Sequence, residues 1–164
     1  MRRAAIVLVL VVAAVGAFVG MHRGSDQDAI RAQLTRLAAA LHASEGSNPV
    51  FRVPRVRSEF DAILDETVHV TAAEAPGLPT DRRGLADSAV QLSAFYSSVD
   101  VGLRNVEIKL DDSSTMAQVA ATADLSAGGE QSRRDTRAVN FLFYKRDGTW
   151  RITSVTVWAP DATR

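Results

Sequence analysis

The stretch that most constrains this chain is its last long run, from Val139 to Trp158, which reads as two strands joined at Asp147-Gly148. A type I′ turn needs positive φ at both central residues, which Asp tolerates and Gly adopts without steric cost. The chain is therefore expected to end in an antiparallel hairpin whose arms are rich in aromatic and β-branched residues, as a half-buried pleated surface favours. Phe141 and Phe143 fall on one face and Leu142 and Tyr144 on the other, so both faces must meet something. Core packing is the ordinary reason for such aromatic density. A pocket or partner surface is the other.

Alternation changes phase twice in the C-terminal half. Val101 and Leu103 share one parity, whereas Val106, Ile108 and Leu110 share the opposite one, which predicts an extra residue near Arg104-Asn105. Trp150 and Ile152 give way in the same manner to Val155 and Val157, which predicts a second bulge near Thr153-Ser154. Bulges bend strands and help a sheet curl. A segment from Met116 to Leu125 supplies a further strand, and Ala127-Gly128-Gly129 the turn after it.

The first part of the chain reads differently. Ser25 caps a helix that runs to about Ala43, with Asp26 and Asp28 near the positive end of its dipole and Ile30, Leu34, Leu37, Ala38 and Leu41 on one stripe. A connector through Pro54 precedes a second helix from Val56 to Glu66, with Phe60, Ile63 and Leu64 on its inner face. Thr67 to Thr71 alternates as a short strand. A third helix is expected from about Asp81 to Val99, with Leu85, Ala89, Leu92, Phe95, Tyr96 and Val99 facing inward.

Ahead of all this, Met1-Arg2-Arg3 is followed by Ala4 to Met21 without a charge. Eighteen helical residues span roughly 27 Å, close to the ~30 Å hydrocarbon core of a bilayer. Residues 1–24 are thus expected to be a signal anchor or a signal peptide. The small-residue patterns Val15-Gly16-Ala17 and Phe18-Val19-Gly20 match a cleavage site poorly, and the run is long for a signal-peptide core, which favours retention. The domain, residues 25–164, is then expected outside the cytoplasm, in a bacterial periplasm, or secreted if the segment is removed.

Composition narrows the chemistry. No cysteine occurs, which excludes disulfides, thiolate metal sites and a cysteine nucleophile. The chain has 19 basic and 19 acidic residues; setting aside Arg2, Arg3 and Arg23 leaves 16 basic against 19 acidic, a net of −3 that argues against nucleic acid as a partner. His22, His42 and His69 are scattered without metal-ligand spacing, so no metal or other cofactor is expected. No G-x-S-x-G nucleophile elbow is present. Arg133-Arg134-Asp135-Thr136-Arg137 reads as a solvated loop.

Helix order, the four-strand meander and the closing pattern Asp147-Gly148-Thr149-Trp150-Arg151-Ile152 resemble the nuclear transport factor 2-like superfamily over roughly residues 26–158. This is the cystatin-like α+β cone shared by ketosteroid isomerases and SnoaL-like polyketide cyclases. The resemblance implies three N-terminal helices packed in a curved antiparallel sheet of about four long strands plus one short strand. The architecture is also similar to bitopic inner-membrane subunits of type IV secretion systems and to Mce-associated membrane proteins, although only Met1 to Arg3 precede the apolar run.

In the isomerase-like members an acidic base and a tyrosine or second acid converge inside the cone. The candidates for a cavity lining here are Tyr96, His69 and Asn140, with Asp124 and Tyr144 as further polar groups; none sits in a catalytic motif. The ordinary reading comes first for each: Tyr96 as a core aromatic with its hydroxyl at the rim, His69 as a surface or satisfied strand residue, and Asp124 as water-facing. Asn140 stands among aromatics and needs a hydrogen-bond partner, which a ligand or a second subunit could supply. The expectation is a non-enzymatic, membrane-anchored interaction module, a homodimer through the outer sheet face or the partner of another envelope protein. The alternative is a binder of small hydrophobic molecules or a SnoaL-like isomerase or lyase that uses the cone interior.

Overall fold

The computed structural model describes residues 26–44, 49–75, 77–93, 95–129 and 132–160. The expected span at residues 4–21 and the Ser25 cap lie outside them. In chain order the elements are α1 (Asp26–Leu41), α2 (Pro49–Ile63), β1 (Leu64–Ala72), α3 (Arg82–Ser93), β2 (Ser98–Leu110), β3 (Met116–Gly128), β4 (Arg133–Arg146) and β5 (Thr149–Trp158). The strands form one sheet in the order β1-β5-β4-β3-β2. Three helices on a five-stranded sheet give the expected α+β class. The meander is antiparallel throughout, while β1 joins its open side parallel to β5.

The C-terminal hairpin forms as its turn residues dictate. Asp147 and Gly148 have φ of 50° and 75°, the left-handed pair that a type I′ turn requires. Both bulges are present. β2 slips register between Arg104 and Glu107, with Asn105 at φ 55°, and β5 carries the extra residue Thr153 between the pairs Phe143↔Ile152 and Leu142↔Ser154. Asn is among the few residues that visit this φ without great cost. Because of these slips Val101 and Ile108 face inward on one strand, as do Ile152 and Val155 on another.

The inner face of the sheet is closed by apolar side chains. Phe141, Phe143, Trp150 and Ile152 of the hairpin meet Ile30 and Leu37 of α1, Val56, Phe60 and Ile63 of α2, and Leu85 of α3, all of them at most 2% exposed. Burial of this kind, at about 25 cal/mol per Å² of apolar surface, is what holds the three helices to the sheet. Arg52 Nη2 donates to the Leu41 carbonyl at 3.1 Å, which satisfies one of the orphan acceptors at the end of α1. Ion pairs between Arg36 and Glu59, Arg57 and Asp87, and Arg82 and Asp61 link the helices at their exposed edges.

The elements depart from the sequence reading in four places. Pro49 starts α2 seven residues before the expected Val56, because proline is pre-organised for the first helical position, and Pro54 lies inside the helix, without the N–H that would bond the Val50 carbonyl. The end expected for that helix, Leu64 to Glu66, is instead the start of β1, where Leu64 registers with Ile152. The third helix stops at Ser93, and the chain from Ser98 pairs with β3. Val99 therefore lies in a strand, bridged to Ala43, and Phe95 is 79% exposed rather than facing inward. The arginine cluster at Arg133 to Arg137 is strand rather than loop, held opposite Ala123 to Ala127.

One contact fixes the start of α1. Asp26 Oδ1 accepts from Lys145 Nζ at 2.6 Å and from Trp150 Nε1 at 3.0 Å, and the ammonium sits 5.5 Å from the Trp150 ring centroid. The hydrogen bond from Lys145 is the main reason that the Asp26 carboxyl titrates below its ordinary value. At the β2–β3 turn, Asp111 accepts from the Ser113 hydroxyl and from the backbone N–H groups of Met116 and Thr115, and its carboxyl is held at about 2.

Gly148→Ala forces a Cβ into the left-handed region and should cost about 1 kcal/mol in urea unfolding, whereas Gly102→Ala, with open space around the new Cβ, should change stability by less than about 0.5 kcal/mol. Carboxyls whose folded pKa is depressed contribute stability that is present above the unfolded value and lost as pH falls through the folded one. Stability should therefore fall below about pH 4 as Asp26 and Asp111 protonate. Asp26→Asn should be less stable at pH 7 and show a smaller acid-dependent loss.

Candidate functional site: a groove on the outer sheet face

A hollow of about 440 Å³ opens on the face of the sheet away from the helices, lined by Asp65, Glu66, Thr67 and His69 of β1, Leu142, Tyr144 and Arg146 of β4, and Thr153 and Ser154 of β5. Its origin lies in the strand register. β1 pairs with β5 at Leu64↔Ile152 and resumes only at His69↔Ser154, so four residues of β1 bow past one residue of β5. That one residue is Thr153, the bulge opposite β4. The bowed segment is tied on its other side, where Val68 N–H donates to the Thr80 carbonyl at 2.8 Å and Thr67 bridges to Asp81.

Strand alternation sets the groove's chemistry. Leu142, Tyr144 and Arg146 follow at every second position of β4, and Leu142, Ser154 and His69 stand side by side across three strands. The Thr153 and Ser154 hydroxyls are engaged, since Thr153 Oγ1 donates to the Leu142 carbonyl and Ser154 Oγ to the His69 carbonyl, each at 3.2 Å. Tyr144 keeps 40% of its surface exposed.

Asp65 is the charged residue that burial singles out, at 8% exposed. Its Oδ1 accepts from the Glu66 backbone N–H at 2.7 Å. Its Oδ2 lies 3.1 Å from Arg146 Nη2 but outside hydrogen-bond alignment, so the pair is Coulombic and that oxygen keeps an unfilled acceptor site. Buried carboxylates without full hydrogen bonding cost free energy. Glu66, next along the strand, is exposed and has no ion pair among the described residues.

The sequence candidates are dispersed. Tyr96 is half-buried against the core, in the segment after α3 rather than on it. His69 is exposed and lines the outer groove, not the cone interior. Asn140 is exposed on the same outer face, opposite Thr156 of β5 and Ala120 of β3, because its parity is opposite to that of Phe141. The three therefore do not converge in the cone, whose inner face is occupied by the core described above. Asp124 is committed to a surface cluster: it accepts from Arg104 Nε at 2.5 Å and from Thr136 Oγ1 at 2.7 Å, and the Arg104 bond keeps its carboxyl below the ordinary range.

Asp65, Glu66 and Arg146 were not foreseen as site residues. The signal was present for half of the groove, in the bulge at Thr153-Ser154 and the second apolar face of β4. It was missing for β1, whose first residues carry a helical pattern in sequence.

Removing the cation from the Asp65 pair should be felt but moderately, because the Arg146 side chain is 64% exposed and screened by solvent. Arg146→Ala is expected to lose about 1 kcal/mol in urea unfolding, well short of the ~3–5 kcal/mol of a fully buried pair.

No family model matches the sequence, and no curated protein matches it. Solved structures do match in three dimensions. A type 2 hexachlorocyclohexane dehydrochlorinase superposes with a TM-score of 0.63 at 15% identity, over 82% of this chain and 84% of that one. An uncharacterised protein with a cystatin-like fold from Caulobacter vibrioides gives 0.62 at 16% identity, over 85% and 94%. A nuclear transport factor 2-like protein of unknown function from Prochlorococcus gives 0.58 at 17%, over 83% and 94%. Identities of this order speak for the fold alone, and that fold is the cystatin-like α+β architecture of nuclear transport factor 2-like proteins.

Proposed function

We propose that this chain is a membrane-tethered domain, held outside the cytoplasm, that works by protein contact through the outer face of its sheet. The observation that carries this reading is the contrast between the two faces. Inside, the largest side chains are essentially inaccessible; outside, Tyr144 is 40% exposed and Leu142 half-buried in a groove, with Trp158 half-buried farther along the same face. Amphipathic aromatics on an accessible face are what protein interfaces enrich. The uncharged run from Ala4 to Met21 supports the tether. No helix among the described residues is long and apolar enough to cross a membrane, so a tether would have to come from that run. The partner in this reading is a second copy of the chain or another envelope protein.

A second reading takes its support from the dehydrochlorinase among the structural neighbours. It makes the chain a binder or isomerase-like enzyme for small hydrophobic molecules. The packed inner face and the outward positions of His69 and Asn140 weigh against it.

Photo-crosslinking in native membranes tests the contact reading. With p-benzoylphenylalanine at position 140, on the outer face, a defined adduct is expected, and with the same probe at position 31, on the exposed side of α1, none. A full-length chain that is monomeric in detergent and gives no adduct from position 140 would defeat the proposal.

A further inference from the structure

We infer that the open edge of the sheet, at residues 106–110 of β2, pairs antiparallel with the same segment of a second copy of this chain. β2 stands last in the sheet order, and its free side is met only at Val99, which Ala43 bridges near the start of the strand. Beyond the bulge at Asn105 that side has no backbone partner among the described residues. The turn to β3 fixes where its hydrogen-bonding groups point. Asp111 N–H donates to the Met116 carbonyl at 2.9 Å, and the same register runs on through Lys109↔Gln118 and Glu107↔Ala120. Main-chain groups of successive strand residues point to opposite sides, so Glu107 and Lys109 direct theirs to β3 while Ile108 and Leu110 turn theirs to the open edge. Val106 shares their parity.

The side chains select both the occupant and the register. Val106, Ile108 and Leu110 are half-buried against the core, whereas Glu107 and Lys109 are exposed and have no ion pair among the described residues. Pairing about a two-fold axis at Ile108 sets Val106 opposite Leu110 of the second copy and Glu107 opposite its Lys109, each in both directions. Ile108 then exchanges main-chain hydrogen bonds with its own copy. Glu107 and Lys109 fall at the closer, non-hydrogen-bonded positions, with Cα atoms about 4.5 Å apart, where opposite charges attract and like charges repel. The neighbouring registers of the same hydrogen-bond parity centre on Glu107 or on Lys109, and each sets like charge against like. A lysine or a bulge ordinarily keeps an edge strand from pairing. Here the bulge stands at the end of the free segment, and Glu107 of the second copy answers the lysine. The two sheets join edge to edge and their outer faces stay open, so this pairing goes beyond the contact reading and does not depend on it.

Cysteine crosslinking of the full-length chain tests the register, because the chain has no thiol of its own. A Glu107→Cys chain mixed with a Lys109→Cys chain brings the two thiols directly opposite each other, whereas two copies of either variant hold theirs diagonally, about 7–8 Å apart at Cα and beyond easy disulfide reach. Under mild oxidation in native membranes the mixed disulfide is expected well ahead of both homodisulfides. Sedimentation equilibrium in a non-ionic detergent tests the charge pairing. Glu107→Lys and Lys109→Glu should each weaken the dimer about tenfold, and the double variant E107K/K109E should restore it. Restoration separates lost pairing from lost folding.

A chain that is monomeric in detergent, homodisulfides as abundant as the mixed one, or a double variant as weak as the single ones would overturn the inference. An adduct from position 140 with no mixed disulfide would leave the contact reading standing and remove this one. A mixed disulfide with no adduct from position 140 would do the reverse.

Discussion

Thr153 is the residue on which both faces of the sheet depend. One extra residue in β5 lets Trp150 and Ile152 point inward on one side of it and Val155 and Val157 on the other, so an apolar face survives a bend that would otherwise turn half of it outward. The outer groove opens at the same residue, where four residues of β1 pass it before pairing resumes. Two register slips, one against β4 and one against β1, thus meet at a single position of β5.

The slip against β4 was legible in the sequence, and so was most of the sheet. Parity changes in Val101 to Leu110 and in Trp150 to Val157 report bulges directly, because a strand with one buried face cannot change phase without an inserted residue. The Asp147-Gly148 turn was equally plain, since few residue pairs meet its backbone demand. Helix ends were less so. Nothing local stops α3 at Ser93: the residues after it are drawn away by pairing of β2 with β3 and by the bridge between Val99 and Ala43, contacts distant in sequence.

The groove was legible in part for the same reason. Its β4 wall follows from alternation, which put Leu142 and Tyr144 opposite Phe141 and Phe143. Its β1 wall does not, because Ile63, Leu64 and Asp65 continue a helical spacing that only the pairing of Leu64 with Ile152 overrides. Asn140 illustrates the limit of reasoning from neighbours. It stands between aromatic residues along the chain, yet in a strand its immediate neighbours point away from it.

Lys145 and Arg146 are consecutive on β4 and hold carboxylates on opposite sides of the sheet, Asp26 at the start of α1 and Asp65 in the groove wall. A single peptide unit therefore separates the point where the chain emerging from its first twenty-five residues is fastened from the point where the outer pocket carries its buried charge. The tip of the hairpin is thus where the start of α1 and the wall of the outer groove are held by adjacent residues of one strand.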